Sequence, residues 1–143
     1  MTLRTIDEYG PGFQVKVLSA LLTHKEFLTN IYDILSEDDF NNQAHKWIIK
    51  EILKYYDKYH TTPSLDILKV EVKKTENEVL QLSIQEQLRE AYISSDNDLK
   101  YVMEEFSAFC KNQQLKQALL SSVDLLKAGD YDSIKFMIEN AMK

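Results

Sequence analysis

Few side chains in this sequence have the types and spacing that chemistry requires. Three consecutive carboxylates, Glu37, Asp38 and Asp39, could bind a divalent cation through their oxygens. They also follow a serine and precede a phenylalanine, a pattern typical of a solvated turn with acids near a helix N-terminus. The three histidines and the single cysteine lack the spacing of a zinc site. Since no phosphate-binding loop or nucleophile motif is present either, the sequence predicts no catalytic residue, no metal site and no cofactor.

Residues 54–60, Lys-Tyr-Tyr-Asp-Lys-Tyr-His, interleave aromatic rings with lysines, which is one pattern of a nucleic-acid surface. The residues before them carry an apolar helical stripe at Ala44, Ile48 and Ile52. Continuing that stripe places Tyr55 and Tyr59 at the edge of a core and the lysines in solvent. We interpret the segment as a helix end. The lysines remain a possible weak nucleic-acid or partner face: Lys50, Lys54 and Lys58.

Composition restricts the class of protein. The chain has 143 residues, which fits one domain, and a net charge of −6, which argues against a dedicated DNA-coating protein. With three glycines and two prolines, the chain has few of the turn-forming residues that strands and hairpins need, so the composition favours an all-α fold. No apolar run approaches about 18 residues, so no membrane span is expected. The N-terminus also lacks the apolar region of a signal peptide.

Apolar periodicity and capping residues predict seven helices. The first two cover about 11–23 and 25–35, and the third begins after Asn41 or Asn42. Thr62-Pro63-Ser64 should end the third helix, since the residue before proline avoids the helical region, and Ser64 should cap the fourth. The fifth covers 75–94, with these apolar residues expected to face inward: Val79, Leu80, Leu82, Leu88 and Ile93.

The sixth predicted helix begins at Ser95 or Asp96 and continues to Ala128, where Gly129 ends it. At ~1.5 Å per residue it is roughly 50 Å long, which exceeds the diameter of so small a domain. A seventh helix over 131–142 can cover part of its projecting second half as a helical hairpin. The uncovered remainder predicts self-association through seven residues: Leu115, Leu119, Val123, Leu126, Ile134, Phe136 and Ile138.

These elements divide the chain into three expected parts. Residues 1–10 form an N-terminal tail, residues 11–95 a helical head, and residues 96–143 a C-terminal hairpin. We expect a globular head followed by a projecting two-helix hairpin.

The block LLTHKEFLTNIYDILSEDDFNNQAHKWIIKEILKYYDKYHTTPSLDIL, residues 21–68, resembles the N-terminal domain of DnaB-type replicative helicases, and most closely the version in T-even-like tailed phages. In that family two helices lead to an acidic turn with a phenylalanine, an aromatic-rich helix, a Pro-Ser break and another helix. Here the acidic turn is 37–40, the aromatic-rich helix is 45–59 and the break is 62–64. The long and short helices at the end match the family's terminal hairpin, so the likeness extends over about 11–142.

The resemblance implies a scaffold and docking domain without catalysis of its own. In such helicases the hairpins pair into dimers, and three dimers form a collar on a hexameric ring that engages primase. A helicase loader is a possible further partner, and DNA would be contacted only through the full-length helicase. The chain stops before any Walker motif, so the ATP-driven motor would follow its last helix. A phage protein of this kind would work in the host cytoplasm.

Two other classes stay open. The helicase-interaction domain of bacterial-type primases shares the head-and-hairpin plan, and only the neighbouring domain would distinguish the two. A small DNA-binding regulator is also possible, supported by the lysine face of the third helix alone.

Overall fold

The computed structural model describes residues 5–94 and 97–142, and all regular structure in these ranges is helical. The seven α-helices are α1 (Pro11–Thr23), α2 (Lys25–Ile31), α3 (Gln43–Tyr59), α4 (Leu65–Lys73), α5 (Glu78–Ile93), α6 (Leu99–Lys127) and α7 (Tyr131–Ala141). Two short 3-10 turns, Ile6–Tyr9 and Glu37–Asp39, precede α1 and α3. The predicted all-α fold and helix order are confirmed.

Side-chain caps fix several helix starts where the sequence predicted them. The side chain of Asn42 accepts a hydrogen bond from the His45 backbone at 3.1 Å, and that of Ser64 accepts one from the Ile67 backbone at 3.4 Å. The predicted break at 62–64 is confirmed. The second helix ends earlier than predicted and the fifth begins later. The predicted start of the sixth, at residues 95–96, lies outside the described residues.

The core of the head lies between α1, α3, α5 and the first half of α6. Helix α3 contributes the predicted stripe, with Ala44, Ile48 and Ile52 buried. Its partner α1 buries six consecutive residues, 17–22. Burying a large aliphatic side chain stabilises a fold by about 1.5–3 kcal/mol, so these two helices supply much of the stabilising contact.

Phe106 joins α6 to the elements beneath it. Its ring has no exposed surface and lies 6.4 Å from the ring of Phe27, 5.9 Å from Phe40 and 6.0 Å from Phe109, measured between centroids. Phe40, which follows the acidic turn, is equally buried. These edge-on and offset contacts hold the start of the long helix against the head.

Residues 6–9, expected as part of a tail, form a helical turn that packs on the head. Ile6 is completely buried. The Tyr9 ring stacks on Phe13 at 4.6 Å and meets Phe109 edge-on at 5.8 Å. The Asp7 carboxylate accepts a hydrogen bond from the Asn41 side chain at 2.7 Å. This turn therefore contributes to the packing of the head.

The predicted phasing of the tyrosines is wrong for Tyr59, although Tyr55 is half-buried as predicted. Tyr59 is 54% exposed, whereas Tyr56 packs against the core. The Tyr56 hydroxyl donates to Thr29 Oγ1 at 3.1 Å, and its ring lies 4.7 Å from that of Tyr32. Because α2 ends beside this part of α3, it covers Tyr56 and leaves Tyr59 in solvent.

Three of the predicted inward positions of α5 are also wrong. Val79, Leu82 and Ile93 are 78%, 67% and 70% exposed. The buried residues of this helix are Ile84, Leu88 and Ala91. Their spacing of four and three residues marks the single face that contacts α1, α3 and α4.

We predict that Phe106→Ala lowers the free energy of unfolding by about 3–5 kcal/mol, because a fully buried ring with three aromatic neighbours leaves a cavity. Tyr101→Ala is the matched control, since it removes an exposed aromatic ring from the same helix and should change stability by less than about 0.5 kcal/mol. Chemical denaturation followed by circular dichroism measures both. Equal losses in the two variants would contradict this packing.

Candidate functional site

Helix α6 has two halves with different environments. Its first half is buried against the head through Leu99, Val102, Phe106, Phe109, Cys110 and Gln113. In its second half, 114–127, Ala118 is the one buried residue. The helix therefore leaves the head near Gln113 and continues with little cover.

Helix α7 folds back along this second half. The turn uses Gly129 at φ 73°, a conformation that glycine adopts without strain, and the Asp130 backbone donates to the Leu125 carbonyl at 2.9 Å. The Asp130 side chain then caps α7 by accepting from the Ser133 backbone at 3.2 Å. All of α7 is described, and none of its residues is buried. The hairpin thus has the predicted form but lacks a closed core of its own.

One side of the hairpin exposes a continuous apolar stripe, which we call the apolar side. Leu119, Val123 and Leu126 are 51%, 45% and 58% exposed. Their spacing of four and three residues places them on one face of α6. Half-buried residues continue this side: Leu115 on α6 and Ile134 and Ile138 on α7. Six of the seven residues predicted for self-association therefore lie together.

The seventh, Phe136, lies on the other side of the hairpin. It is 67% exposed and lines a groove of about 740 Å³ with Gln117, Ser121 and Asn140. The six residues of the apolar side do not line this groove. Phe136 is two positions from both Ile134 and Ile138, so a helix turns it away from them.

The sequence prediction omitted two exposed residues at the ends of α7: Tyr131, its first residue, and Met142, its C-cap. Both follow the helical spacing of Ile134 and Ile138, so they extend the same apolar side at its two ends. This helical spacing could have identified both residues from the sequence alone.

The acidic turn lies where α6 leaves the head. Asp38 is exposed as predicted, but Asp39 is only 5% exposed and lines a cavity of about 300 Å³ with Gln113 and Gln114. Among the described residues, Asp39 Oδ2 and Gln114 Oε1 are buried and have no hydrogen-bond partner. The interpretation of this turn as a fully solvated cap is therefore wrong for Asp39.

The pKa of Asp39 is raised to about 6, mainly by burial and to a smaller extent by the nearby Asp38. Hydrogen bonds from the Ser36 backbone and the Gln113 side chain lower that pKa, as does Lys46, but they do not offset desolvation. No group of three or more His, Cys, Asp or Glu side chains in the described ranges could hold a metal ion.

The ring of His45 is buried and contacts a glutamine side chain through each of its nitrogens. It is buried between Gln14 and Gln87, with Nδ1 3.2 Å from Gln14 Oε1 and Nε2 2.6 Å from Gln87 Oε1. Burial lowers its pKa, partly opposed by the hydrogen bond to Gln87. These contacts join α1, α3 and α5.

The lysines of α3 occupy a solvent-exposed face, as predicted. Lys50, Lys54 and Lys58 are spaced by four residues, and all are exposed. Lys58 Nζ lies 5.3 Å from the centroid of the Tyr59 ring, a cation–π contact. Asp57 accepts a hydrogen bond from the Tyr32 hydroxyl beside this face.

The fold and the site define an all-α domain with a helical head and a partly exposed C-terminal hairpin. The family model described as the DnaB-like helicase N terminal domain matches residues 14–105. Because this match covers more than half of the chain, the chain belongs to that family, a non-catalytic domain of replicative DNA helicases. The matched span runs from α1 into the first half of α6 and does not include the second half of α6 or α7.

No curated protein and no solved structure matches the chain. In the described ranges, none of the helices combines the length and apolar character that crossing a membrane requires.

We predict that Asp39→Asn stabilises the protein at pH 7 by up to about 3 kcal/mol, because the amide carries no charge and offers a donor where two acceptors are unpaired. The pKa of Asp39 is higher in the folded than in the unfolded state. Its stabilising protonation is therefore complete near pH 4 and is lost as the pH rises through about 6. The advantage of the variant should shrink as the pH falls from 7 to 4.

Asp38→Asn is the control, since it makes the same change at a neighbouring side chain that is 89% exposed. Denaturation across this pH range measures both variants. A pH-independent difference for Asp39→Asn, or the same profile in both, would contradict the assigned burial.

Proposed function

We propose that this chain is the N-terminal scaffold and docking domain of a phage replicative helicase. Its hairpin pairs with the hairpin of a second copy, and such pairs form the collar of a hexameric ring that engages primase. The family assignment supports the helicase context. The resemblance of residues 21–68 to the T-even-like version supports the phage context.

The observation that carries the proposal is the apolar side of the hairpin. An 11-residue helix without a buried residue leaves apolar surface in water, and Leu119, Val123 and Leu126 extend that surface on α6. Contiguous exposed apolar surface of this kind marks an interaction site. Burying it would contribute about 25 cal/mol per Å².

A second copy of the chain is the occupant that fits this surface. In a two-fold pair each hairpin presents the same stripe to the other, so one self-complementary surface covers both. The long exposed stretch of α6 allows helix-to-helix contact over several turns, and a stable interface needs about 800 Å² per partner.

We assign DNA contact to the complete helicase. The net charge of −6 opposes phosphate binding by this domain, and the lysine face of α3 includes Asp57 at its edge. Primase and a helicase loader are the protein partners that the family context suggests.

We predict that the chain dimerises and that Leu119→Asp with Val123→Asp weakens the dimer at least about tenfold, because two carboxylates would be desolvated in the interface. Both positions are about half exposed, so the monomer should keep its helical content. Sedimentation velocity over a concentration series measures the equilibrium, and circular dichroism checks the fold.

Gln117→Asp with Ser121→Asp is the matched control, with the same spacing and charge on the groove side of the same helix. It should leave the dimer intact. A wild-type chain that stays monomeric at every concentration would contradict dimerisation, and disruption by the control alone would place the interface on the groove side with Phe136.

We also predict that the isolated chain gives no salt-dependent shift of single- or double-stranded DNA at about 150 mM salt. Electrophoretic mobility of labelled DNA measures this. A shift lost in the Lys50→Gln, Lys54→Gln, Lys58→Gln variant, but kept when Lys69, Lys73 and Lys74 are changed to Gln, would favour a DNA-binding regulator instead.

A further inference from the structure

A second exposed apolar surface lies on the head, between α4 and α5. The two helices enclose a groove of about 510 Å³. Its apolar lining is Leu65, Val72, Leu88, Tyr92 and Ile93. The hairpin does not contribute to this lining, so the groove is independent of the apolar side described above.

Exposed apolar residues of α5 lie in this groove or near it. Ile93 and Leu82 are about two-thirds exposed although their sequence pattern predicted burial. Eleven residues is about three helical turns, so both lie along the same edge of α5, roughly 16 Å apart. Leu82 therefore lies beyond the end of the groove on the same edge of α5, with Arg89 between it and Ile93.

The rim of this groove is cationic. Lys69 and Lys73 of α4 and Arg89 of α5 line it. Arg89 is held by Glu86, with Nη2 2.8 Å from Oε1. Among the described residues, Lys69 and Lys73 have no carboxylate within the 4.0 Å of an ion pair. Two unpaired lysines beside an apolar floor contrast with the net charge of −6.

We propose that this groove binds an acidic amphipathic helix of a partner protein. The apolar face of such a helix would lie between α4 and α5, as in other helix-in-groove complexes. Carboxylates along its edge would face Lys69 and Lys73, which provides orientation and speeds association. A phosphate backbone fits less well, because it has no apolar face to cover Leu65, Val72 and Leu88. A basic helix would be repelled by the rim.

The test uses two labelled peptides with the same helical leucine spacing, one with glutamates and one with lysines at the flanking positions. Each is about 16 residues, long enough for a helix of roughly 24 Å. Fluorescence anisotropy at low ionic strength measures affinity, and amide NMR shifts locate binding. We expect the acidic peptide to bind and to shift resonances of α4 and α5. Failure of the acidic peptide to bind, or equal binding of the basic one, would overturn the proposal.

Two variants examine the rim and the floor. Lys69→Glu with Lys73→Glu should weaken the acidic peptide at least about tenfold, since two attractive contacts become repulsive. Ile93→Ser should also weaken it while leaving the buried core unchanged, because Ile93 is exposed. Lys50→Glu with Lys54→Glu makes the same charge change on α3 and should have little effect.

Equal weakening by the α3 variant would show that net charge, not the groove, determines binding, and would overturn the proposal. Loss of self-association in Ile93→Ser would instead show that a second copy covers the groove, and would also overturn it. The first result does not bear on the hairpin. The second would move the self-association contact from the hairpin to the groove, and Leu119→Asp with Val123→Asp would then leave the dimer intact.

Discussion

The length of α6 is the constraint on which the rest of the structure depends. A 29-residue helix is roughly 44 Å long, and the head buries only its first half. The second half continues beyond the aromatic contacts of Phe106 and carries its apolar residues into solvent. Helix α7 covers part of that surface but has no buried residue. An exposed apolar side therefore follows from one helix being longer than the domain that supports it.

The junction between head and hairpin is where hydrogen bonding is least complete. Asp39 and Gln114 each place a buried oxygen there without a partner among the described residues. A buried unpaired acceptor costs about 1–3 kcal/mol, so this arrangement opposes the stability that Phe40 and Phe106 provide nearby. The cost falls when the Asp39 carboxyl is protonated, because the neutral acid has no charge to desolvate and gains a proton to donate. Since burial raises the pKa of this carboxyl to about 6, we expect the stability of the fold to decrease as the pH rises through that value.

The sequence predicted the elements whose local signals agree with one another. In α3 the apolar stripe, the Asn42 cap and the Pro63 break coincide, so the helix and its buried face were predictable. In α5 apolar residues occur around much of the helix, and only contacts with α1, α3 and α4 select Leu88 over Leu82. The burial of Asp39 could not be predicted either, because nothing in the local sequence distinguishes it from Asp38. On the hairpin, composition identified the apolar residues, but only helical phase separates Phe136 from the others.

Hydrogen exchange as a function of protein concentration tests the central claim, that a second copy covers the apolar side of the hairpin. In a single chain, no residue of α7 is buried, and Ala118 is the one buried residue of 114–127. These helices should therefore open locally, and their amides should exchange fast in dilute solution. Their exchange should slow as the protein concentration rises, while amides of α3 stay protected throughout. Exchange from α7 that is independent of concentration up to the solubility limit would contradict it.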